Sequence, residues 1–200
     1  MAGLLGRSND VAEFAALQEK IRAAYQDQFI MPETGRVEPG TQTSQSFALY
    51  TGLVPESLQR RALEYLDDDI RNQHDGHLST GIMGTKFMLD VLSRNGYAQT
   101  AYDLVTKTNY PGWGWMLANG ATTLWEHWAL STNTYSHNHP MFGSVSQWCF
   151  EWLGGIQPAT NAVGFDRVVL RPQPVVGLDW VRCSYYSVRG RIVSDWRREA

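Results

Sequence analysis

Apolar side chains recur at helical intervals through the first three quarters of the chain. From Asp10 to Ile30 they fall three or four positions apart, with acidic residues near the start, which predicts an amphipathic helix. Residues 41–53 and 55–72 predict a second and a third helix, the latter with Pro55 in its first turn. Because almost nothing separates these two segments, we expect them to pack as an antiparallel hairpin.

The same pattern repeats further along the chain. Residues 85–96 and 97–108 predict a second pair of helices, interrupted at Gly96, and residues 142–155 predict a later helix that ends at a glycine pair. In that later helix Trp148 and Trp152 are four positions apart, so both are assigned to the core. The sequence therefore predicts successive helical hairpins.

After the helical part the pattern changes to rough alternation of β-branched and aromatic residues. Three short strands are predicted within residues 165–172, 178–187 and 190–196, and we expect them to pair antiparallel. Three strands are marginal as an independent sheet, so they are expected to pack against the helices. The last strand should have an open edge, which makes self-association possible. This division predicts a first domain over residues 1–156 and a second over residues 157–200.

Composition excludes several classes of function. The 200 residues are 43% hydrophobic and carry a formal net charge of −3, which fits a globular chain and leaves no basic surface for a nucleic-acid backbone. No apolar run has the length of a membrane span, and the first ten residues lack the apolar segment of a secretion signal, so a soluble protein is expected. Cys149 and Cys183 are too few for a disulfide framework and are expected to be small buried hydrophobic residues.

Three predicted loops, over residues 74–85, 110–128 and 136–143, are rich in glycine, histidine and tryptophan. Indole faces stack on sugar rings and polar side chains bind hydroxyl groups, so this mixture suits a carbohydrate pocket. Glu126, flanked by two tryptophans in GATTLWEHW, is the outstanding candidate for one of the two carboxyl groups of a glycosidase. A buried glutamate that caps a loop or pairs with an arginine is the structural alternative.

The loop histidines are weaker candidates. His137 and His139 in SHNH resemble half of a metal site, but no third ligand has suitable spacing, so the sequence predicts no metal and no cofactor. A role in ordering the loop is favoured for at least one of them. His77 and Asp75 lie in a turn bounded by glycine, where aspartate is common for structural reasons.

Several of these stretches together resemble one known family. They are TQTSQSFALYTGLVP, GHLSTGIMGTKFMLDVLSRNGYAQTAYDLV, YPGWGWMLANGATTLWEHW, SHNHPMFGSV with WLGGI, and YYSVRGRIVSDW. In order and spacing they resemble the bacterial α-L-rhamnosidases, inverting glycoside hydrolases with an (α/α)6 barrel followed by a β-sandwich. The resemblance implies a mainly α fold: part of an (α/α)6 toroid of helical hairpins, followed by a short antiparallel β segment that represents a truncated β-sandwich.

The resemblance also implies roles for individual residues. Glu126 would be the general base that activates water, and His139 would bind the sugar beside it. Trp113 and His77 lie on loops turned toward the mouth of the barrel and are predicted to bind substrate. The tryptophans beside Glu126 would enclose an apolar-faced deoxysugar, and the threonine pair before them would hold the loop. Rhamnose-containing glycosides are then the expected partners.

One departure from the family pattern qualifies the expected activity. The family's general acid lies on an earlier acidic segment, and residues 1–45 contain no match to it. The chain therefore resembles a carboxyl-side piece of a rhamnosidase. Two alternatives stay open: a non-catalytic carbohydrate-binding or assembly remnant, and a different (α/α)6 enzyme in which Asp75 assists Glu126.

Overall fold

The computed structural model of the chain describes residues 1–132 and 135–199, nearly half of which are helical. Seven α-helices lie within them: α1 (Ser8–Phe29), α2 (Gln42–Tyr50), α3 (Glu56–Asp68), α4 (Gly84–Arg94), α5 (Ala98–Thr106), α6 (Trp113–Ala118) and α7 (Ser144–Trp148). Two 3-10 turns, Ala2–Leu5 and Pro140–Gly143, precede α1 and α7, and π-helical turns, Asp69–Gln73 and Cys149–Leu153, extend α3 and α7.

The predicted helical hairpins are confirmed. Helix α2 begins with a capping box, in which the Thr41 side chain accepts the Ser44 N–H and the Ser44 hydroxyl accepts the Thr41 N–H. Helix α3 begins directly after Pro55 and packs on α2, while α4 packs on both α2 and α5. The prediction of a loop over residues 110–128 is wrong in part, because Trp113–Ala118 form helix α6.

Helix α1 forms as predicted but none of its residues is buried. Phe14 is 61% exposed and Ile21 is 56% exposed. The helix is joined to the rest of the described chain near its carboxyl end, where the Gln26 side-chain amide donates to Leu53 O over 2.9 Å. Its apolar residues follow a helical period, yet its tertiary contacts within the described residues are few.

The main hydrophobic core lies between α3, α4, α5 and the last helical segment. Leu66, Met88, Leu92 and Phe142 are fully buried in it. The predicted core positions of Trp148 and Trp152 are confirmed, since the two residues are 3% and 4% exposed. Both indole N–H groups have partners, Ser93 Oγ at 2.7 Å for Trp148 and Asp90 Oδ1 at 3.0 Å for Trp152.

The carboxyl-terminal segment forms two small antiparallel sheets. Strand β1 (Ile156–Pro158) pairs with β2 (Val168–Leu170), and β3 (Trp180–Ser187) pairs with β4 (Gly190–Arg197). The three predicted strands are confirmed as β2, β3 and β4. Strand β1 is an addition that the sequence pattern missed, because its residues Ile156, Gln157 and Pro158 lack the run of β-branched residues that marks β2.

The strands pack against the helical part, as predicted. The Trp196 indole N–H donates to Leu153 O over 2.8 Å, and the Arg171 N–H donates to Gly155 O over 2.9 Å. On another side, the Val176 N–H donates to the Gln99 side chain on α5 over 2.7 Å. These bonds join the β segment to α5 and to the end of the last helix.

Both cysteines are free thiols, but the prediction that they are buried is only partly correct. Cys149 and Cys183 are each half-buried, the first at the outer edge of the core and the second in a two-stranded sheet with one face near solvent. Burial raises the pKa of the Cys149 thiol and of the Cys183 thiol, so both stay protonated at neutral pH.

Within the described residues, no helix has the length and apolar character that crossing a bilayer requires.

The junction between the helices and the strands depends on Gly155. Its φ of 72° is in the left-handed region, and a Cβ there would meet the backbone at Arg171 and Pro172. Gly52 has a similar φ of 69° with open space around it. We predict that Gly52→Ala lowers the free energy of unfolding by roughly 1–2 kcal/mol, whereas Gly155→Ala lowers it by about 1–3 kcal/mol more because the added atom also overlaps the backbone.

Urea unfolding of the two alanine variants and the unsubstituted chain provides the measurement. Equal losses in the two variants would contradict the close packing assigned to Gly155.

The edge of the β3–β4 sheet generates a second prediction. Within the described residues, β4 pairs with β3 and with no further strand, and Val193 at the middle of β4 is 48% exposed. Since an open edge can pair with another copy, we expect the chain to self-associate at high concentration and Val193→Lys to reduce this. Val188→Lys, in the exposed turn between the two strands, is the matched control. Sedimentation velocity over a concentration series measures the self-association of the unsubstituted chain and of both variants. A monomeric unsubstituted chain at every concentration would refute the prediction.

Candidate functional site

The three glycine-rich loops converge on one cleft of about 510 Å³, here called the Glu126 cleft. All three loops contribute to its lining, which consists of His74, Leu78, Ser79, Thr80, Gly81, Ile82, Tyr110, Pro111, Glu126, His127, Trp128 and Phe142. The predicted convergence of the loops is therefore confirmed. A concave site with mostly apolar walls and a few polar groups is typical of a small-molecule pocket.

Glu126 is half-buried in the wall of this cleft and is held by Ser136. The Ser136 N–H donates to Glu126 Oε2 over 3.0 Å, and the Glu126 N–H donates to Ser136 O over 2.9 Å. This reciprocal pair fixes the backbone and the carboxylate of Glu126 against the third loop. A backbone N–H that donates to a carboxylate oxygen orients the carboxylate.

Trp128 connects the cleft to the core. Its indole N–H donates to Thr80 O over 2.7 Å, and its ring stacks on Phe142 with centroids 3.8 Å apart. Trp113 lies against Trp128 edge to face, at 5.0 Å between centroids, and its indole N–H donates to Phe142 O over 3.1 Å. Of these rings, Trp128 and Phe142 line the Glu126 cleft, whereas Trp113 lies behind Trp128 and is 8% exposed.

The other tryptophan beside Glu126 has a different environment. Trp125 is 4% exposed, is absent from the cleft lining, and stacks on His137 at 5.4 Å between centroids. The predicted pair of tryptophans around the sugar is therefore reduced to one wall residue, Trp128. The chain bends over residues 126–129, and the two side chains, three positions apart, have different neighbours.

Thr123 and the SHNH histidines order the loops. Thr123 Oγ1 donates to His137 O, and the His137 ring contacts Ser131 O through Nε2. The His139 N–H donates to Leu124 O over 2.8 Å, and His139 directly precedes the 3-10 turn that carries Phe142. The predicted loop-holding role of the threonine pair is confirmed for Thr123, and the loop-ordering role predicted for at least one of the two histidines is confirmed by His137. His139 lies alongside the Glu126 segment through its backbone, but its side chain is not among the cleft lining.

His77 precedes the cleft-lining residue Leu78, but its own side chain does not line the cleft, and both of its ring nitrogens have partners elsewhere. Its Nε2 is 2.9 Å from Asn109 Oδ1, and its Nδ1 is 3.1 Å from His74 O. Asp75 has a φ of 51° and lines a separate cavity with Arg71 and Lys107. The described geometry thus separates Asp75 from the Glu126 cleft.

Three side chains that line the cleft are absent from the sequence prediction: His74, Tyr110 and His127. His74 Nδ1 is 3.0 Å from Oδ2 of the buried Asp69, and the His127 ring stacks on Tyr135 at 4.5 Å between centroids. All three lie in or next to the predicted loops, so the available signal was their proximity in sequence to Glu126 and His77. Within the described residues, no three His, Cys, Asp or Glu side chains are grouped as a metal site would require.

Comparisons with known proteins agree on one family. Residues 1–153 match the model described as the bacterial alpha-L-rhamnosidase 6 hairpin glycosidase domain, and residues 155–200 match the bacterial alpha-L-rhamnosidase C-terminal domain. The predicted domain limits of 1–156 and 157–200 stay a prediction.

Individual relatives cover the whole chain. An alpha-L-rhamnosidase of Streptomyces avermitilis is 32% identical over 100% of the chain, and one of Formosa agariphila is 29% identical over 98% of it. The solved structure of the Streptomyces avermitilis alpha-L-rhamnosidase, complexed with L-rhamnose, superposes with a TM-score of 0.91. The alpha-L-rhamnosidase structure from Dictyoglumus thermophilum, 36% identical over 99% of the chain, also gives 0.91.

The chain spans about a fifth of the length of these relatives, 20% of the Streptomyces avermitilis protein and 22% of the others. The predicted fold, part of a toroid of helical hairpins followed by a short antiparallel β segment, is confirmed by the family match and the superposition. The resemblance drawn from the sequence motifs is confirmed as well. On these matches, the chain belongs to the bacterial alpha-L-rhamnosidase six-hairpin glycosidase family.

Proposed function

We propose that residues 1–200 contribute to the catalytic site of an enzyme that hydrolyses terminal α-L-rhamnose from glycosides with inversion, with Glu126 as the general base. The observation that carries the proposal is the Glu126 carboxyl group in the wall of a cleft of about 510 Å³. A carboxylate at such a position can take a proton from water and make the water oxygen nucleophilic. Membership of the rhamnosidase family supports the choice of sugar.

The cleft walls support a 6-deoxyhexose as the bound sugar. Ile82, Pro111 and the Tyr110 ring offer accessible apolar surface to the methyl group that distinguishes such a sugar. Ser79 and His127 bring polar groups that can bond hydroxyls. A wall that is apolar in one part and polar in another suits a ring with one apolar edge.

Three further residues belong to the same proposal as parts of the sugar-binding region: His139, Trp113 and His77. Each is attached to a segment that lines the cleft. His139 directly precedes the turn that carries Phe142, and Trp113 packs against Trp128. His77 is bonded to the carbonyl oxygen of His74. These three residues would therefore affect sugar binding indirectly, because they fix the positions of Phe142, Trp128 and His74.

The chemical step needs two carboxyl groups. Glu126 would take one proton from water while the water oxygen forms a bond to the anomeric carbon and the glycosidic C–O bond breaks. The leaving oxygen takes a proton from a carboxylic acid, which in inverting enzymes is roughly 6.5–9.5 Å from the base. Among the described residues of the cleft lining, Glu126 is the only carboxylic acid, so the proposal assigns the acid role to none of them.

The presence of a single carboxylic acid among the described residues of the cleft lining also favours a second candidate, a non-catalytic carbohydrate-binding role for the 200-residue chain. The two candidates differ in a direct assay. L-Rhamnose binding, measured by calorimetry, is compared with release of a chromophore from an aryl α-L-rhamnoside, whose leaving group needs little protonation. Binding together with release supports the enzyme, and binding without release supports the second candidate.

The base role generates a specific prediction for Glu126→Gln. In a complete enzyme that carries this segment, turnover of a natural rhamnoside should fall by about 10²–10⁴, because the amide keeps the shape and loses the basicity. Affinity for L-rhamnose should stay nearly unchanged. Steady-state kinetics and calorimetry measure the two quantities.

Glu151→Gln is the matched control, since Glu151 is also half-buried but lines a different cavity with Trp148 and Trp152. Its turnover should equal that of the unsubstituted enzyme. An unchanged rate in Glu126→Gln would remove the base assignment and return Glu126 to a structural role in its loop.

The inverting mechanism makes a separate prediction about the product. If water attacks from the face opposite the leaving group, the sugar first released from an α-L-rhamnoside is the β anomer. Proton NMR of the anomeric signal during the first turnovers, before mutarotation equilibrates the anomers, measures this. Early accumulation of the α anomer would contradict inversion.

A further inference from the structure

Two glutamines on helix α2 use their side chains to satisfy the backbone of distant loops. Gln42 is 1% exposed and Gln45 is fully buried. They are three positions apart and so lie on one side of the helix. A buried amide must find partners for both its oxygen and its nitrogen, because an unpaired polar group away from water is costly.

Gln42 holds the first loop of the Glu126 cleft. Its Nε2 donates to His77 O over 3.2 Å, and its Oε1 accepts the Ser79 N–H over 2.7 Å. One side chain thus bonds both sides of Leu78, which is 2% exposed. The amide thus pairs with one carbonyl oxygen and one N–H of the loop, as a neighbouring strand would, and fixes residues 77–79 to helix α2.

The next residue of this loop anchors the cleft wall. Thr80 O accepts the indole N–H of Trp128 over 2.7 Å, and Thr80 Oγ1 is 2.8 Å from Thr85 Oγ1. Trp128 is two positions from Glu126. A continuous chain of hydrogen bonds and covalent bonds therefore runs from the α2 amide, through residues 77–80, to the segment that carries the carboxylate.

We infer that Gln42 is a positioning residue for the Glu126 cleft: its buried amide sets the path of residues 77–80 and thereby the position of Trp128 beside Glu126. The effect on sugar binding rests on the proposed function, whereas the effect on Trp128 does not. Without the amide, His77 O and the Ser79 N–H lose their partners and the loop moves toward water to recover them. Thr80 O then moves with the loop, and the bond to Trp128 weakens.

Gln45 offers a matched control on the same helix. Its Oε1 accepts the Val37 N–H over 2.8 Å, and its Nε2 donates to Gly35 O over 2.8 Å and to Ala62 O over 3.1 Å. None of these partners lines the Glu126 cleft. Methionine has nearly the length of glutamine and no polar amide, so Gln42→Met removes the bonds to the cleft loop, whereas Gln45→Met removes bonds to a different loop and to helix α3.

The experiment measures hydrogen exchange of the indole N–H groups by NMR, in the 200-residue chain without sugar. The Trp128 signal is assigned from its loss in Trp128→Phe, and Trp148, whose N–H bonds Ser93 Oγ, is the internal reference. We expect Gln42→Met to accelerate Trp128 exchange roughly tenfold relative to Trp148, and Gln45→Met to leave that ratio unchanged. Equal ratios in the two variants would overturn the inference.

The unsubstituted chain keeps the test decisive if Gln42→Met does not fold. In the unsubstituted chain, the Ser79 amide and the Trp128 indole should exchange through openings of the same free energy, distinct from that of the Val37 amide. Different opening free energies for Ser79 and Trp128 would reject the coupling.

L-Rhamnose affinity is measured on the same variants. A roughly tenfold loss in Gln42→Met, with no loss in Gln45→Met, is expected if the loop contributes to the sugar site. If the unsubstituted chain binds no rhamnose, the proposed function fails while the exchange data still decide the role of Gln42.

Discussion

The Trp128 side chain is the point at which the three loops of the site meet. Its indole N–H bonds the carbonyl of Thr80 in the first loop, and its face stacks on Phe142 in the third, while Trp128 itself belongs to the second. A large ring with one polar atom can satisfy both kinds of contact at once, because most of its surface is apolar and its N–H has a single direction. The position of Glu126, two residues away, depends on this junction.

The loops also depend on polar side chains of helix α2, which bond the loop backbone on the side away from the cleft. Buried backbone groups outside regular structure need partners, and here the partners are side chains: Gln42 for residues 77 and 79, and Gln45 for residues 35 and 37. Ser136 has the reverse arrangement, with its backbone bonded to both the carboxylate and the backbone of Glu126. The site is thus held by directional bonds that enclose a mostly apolar wall, which favours one geometry over several similar ones.

The β segment is attached to the opposite end of the same helical core. Trp196 bonds the carbonyl of Leu153 at the end of the helix that begins near Phe142, and Val176 bonds Gln99 on α5. Gly155 allows the chain to turn between the two parts where a side chain would overlap Pro172. Neither small sheet has enough strands to bury a face alone, so the helical surface completes its packing.

Periodicity and turn chemistry are local properties, and they predicted the helical hairpins, strands β2 to β4 and the three loops except for helix α6. The two flanking tryptophans singled out Glu126 as the candidate carboxylate. Local patterns could not distinguish Trp128 from Trp125, since both flank Glu126 and only the packing of Phe142 and His137 decides which ring faces the cleft. For the same reason the sequence pattern singles out His77 and not His74, although it is His74 that lines the cleft. Helix α6 is too short to carry a period, and strand β1 lacks the β-branched run that marks β2. The partners of Gln42 are 35 and 37 positions away in the chain, and only the tertiary structure brings an α2 amide against that loop, because such contacts depend on where helices pack and not on sequence spacing.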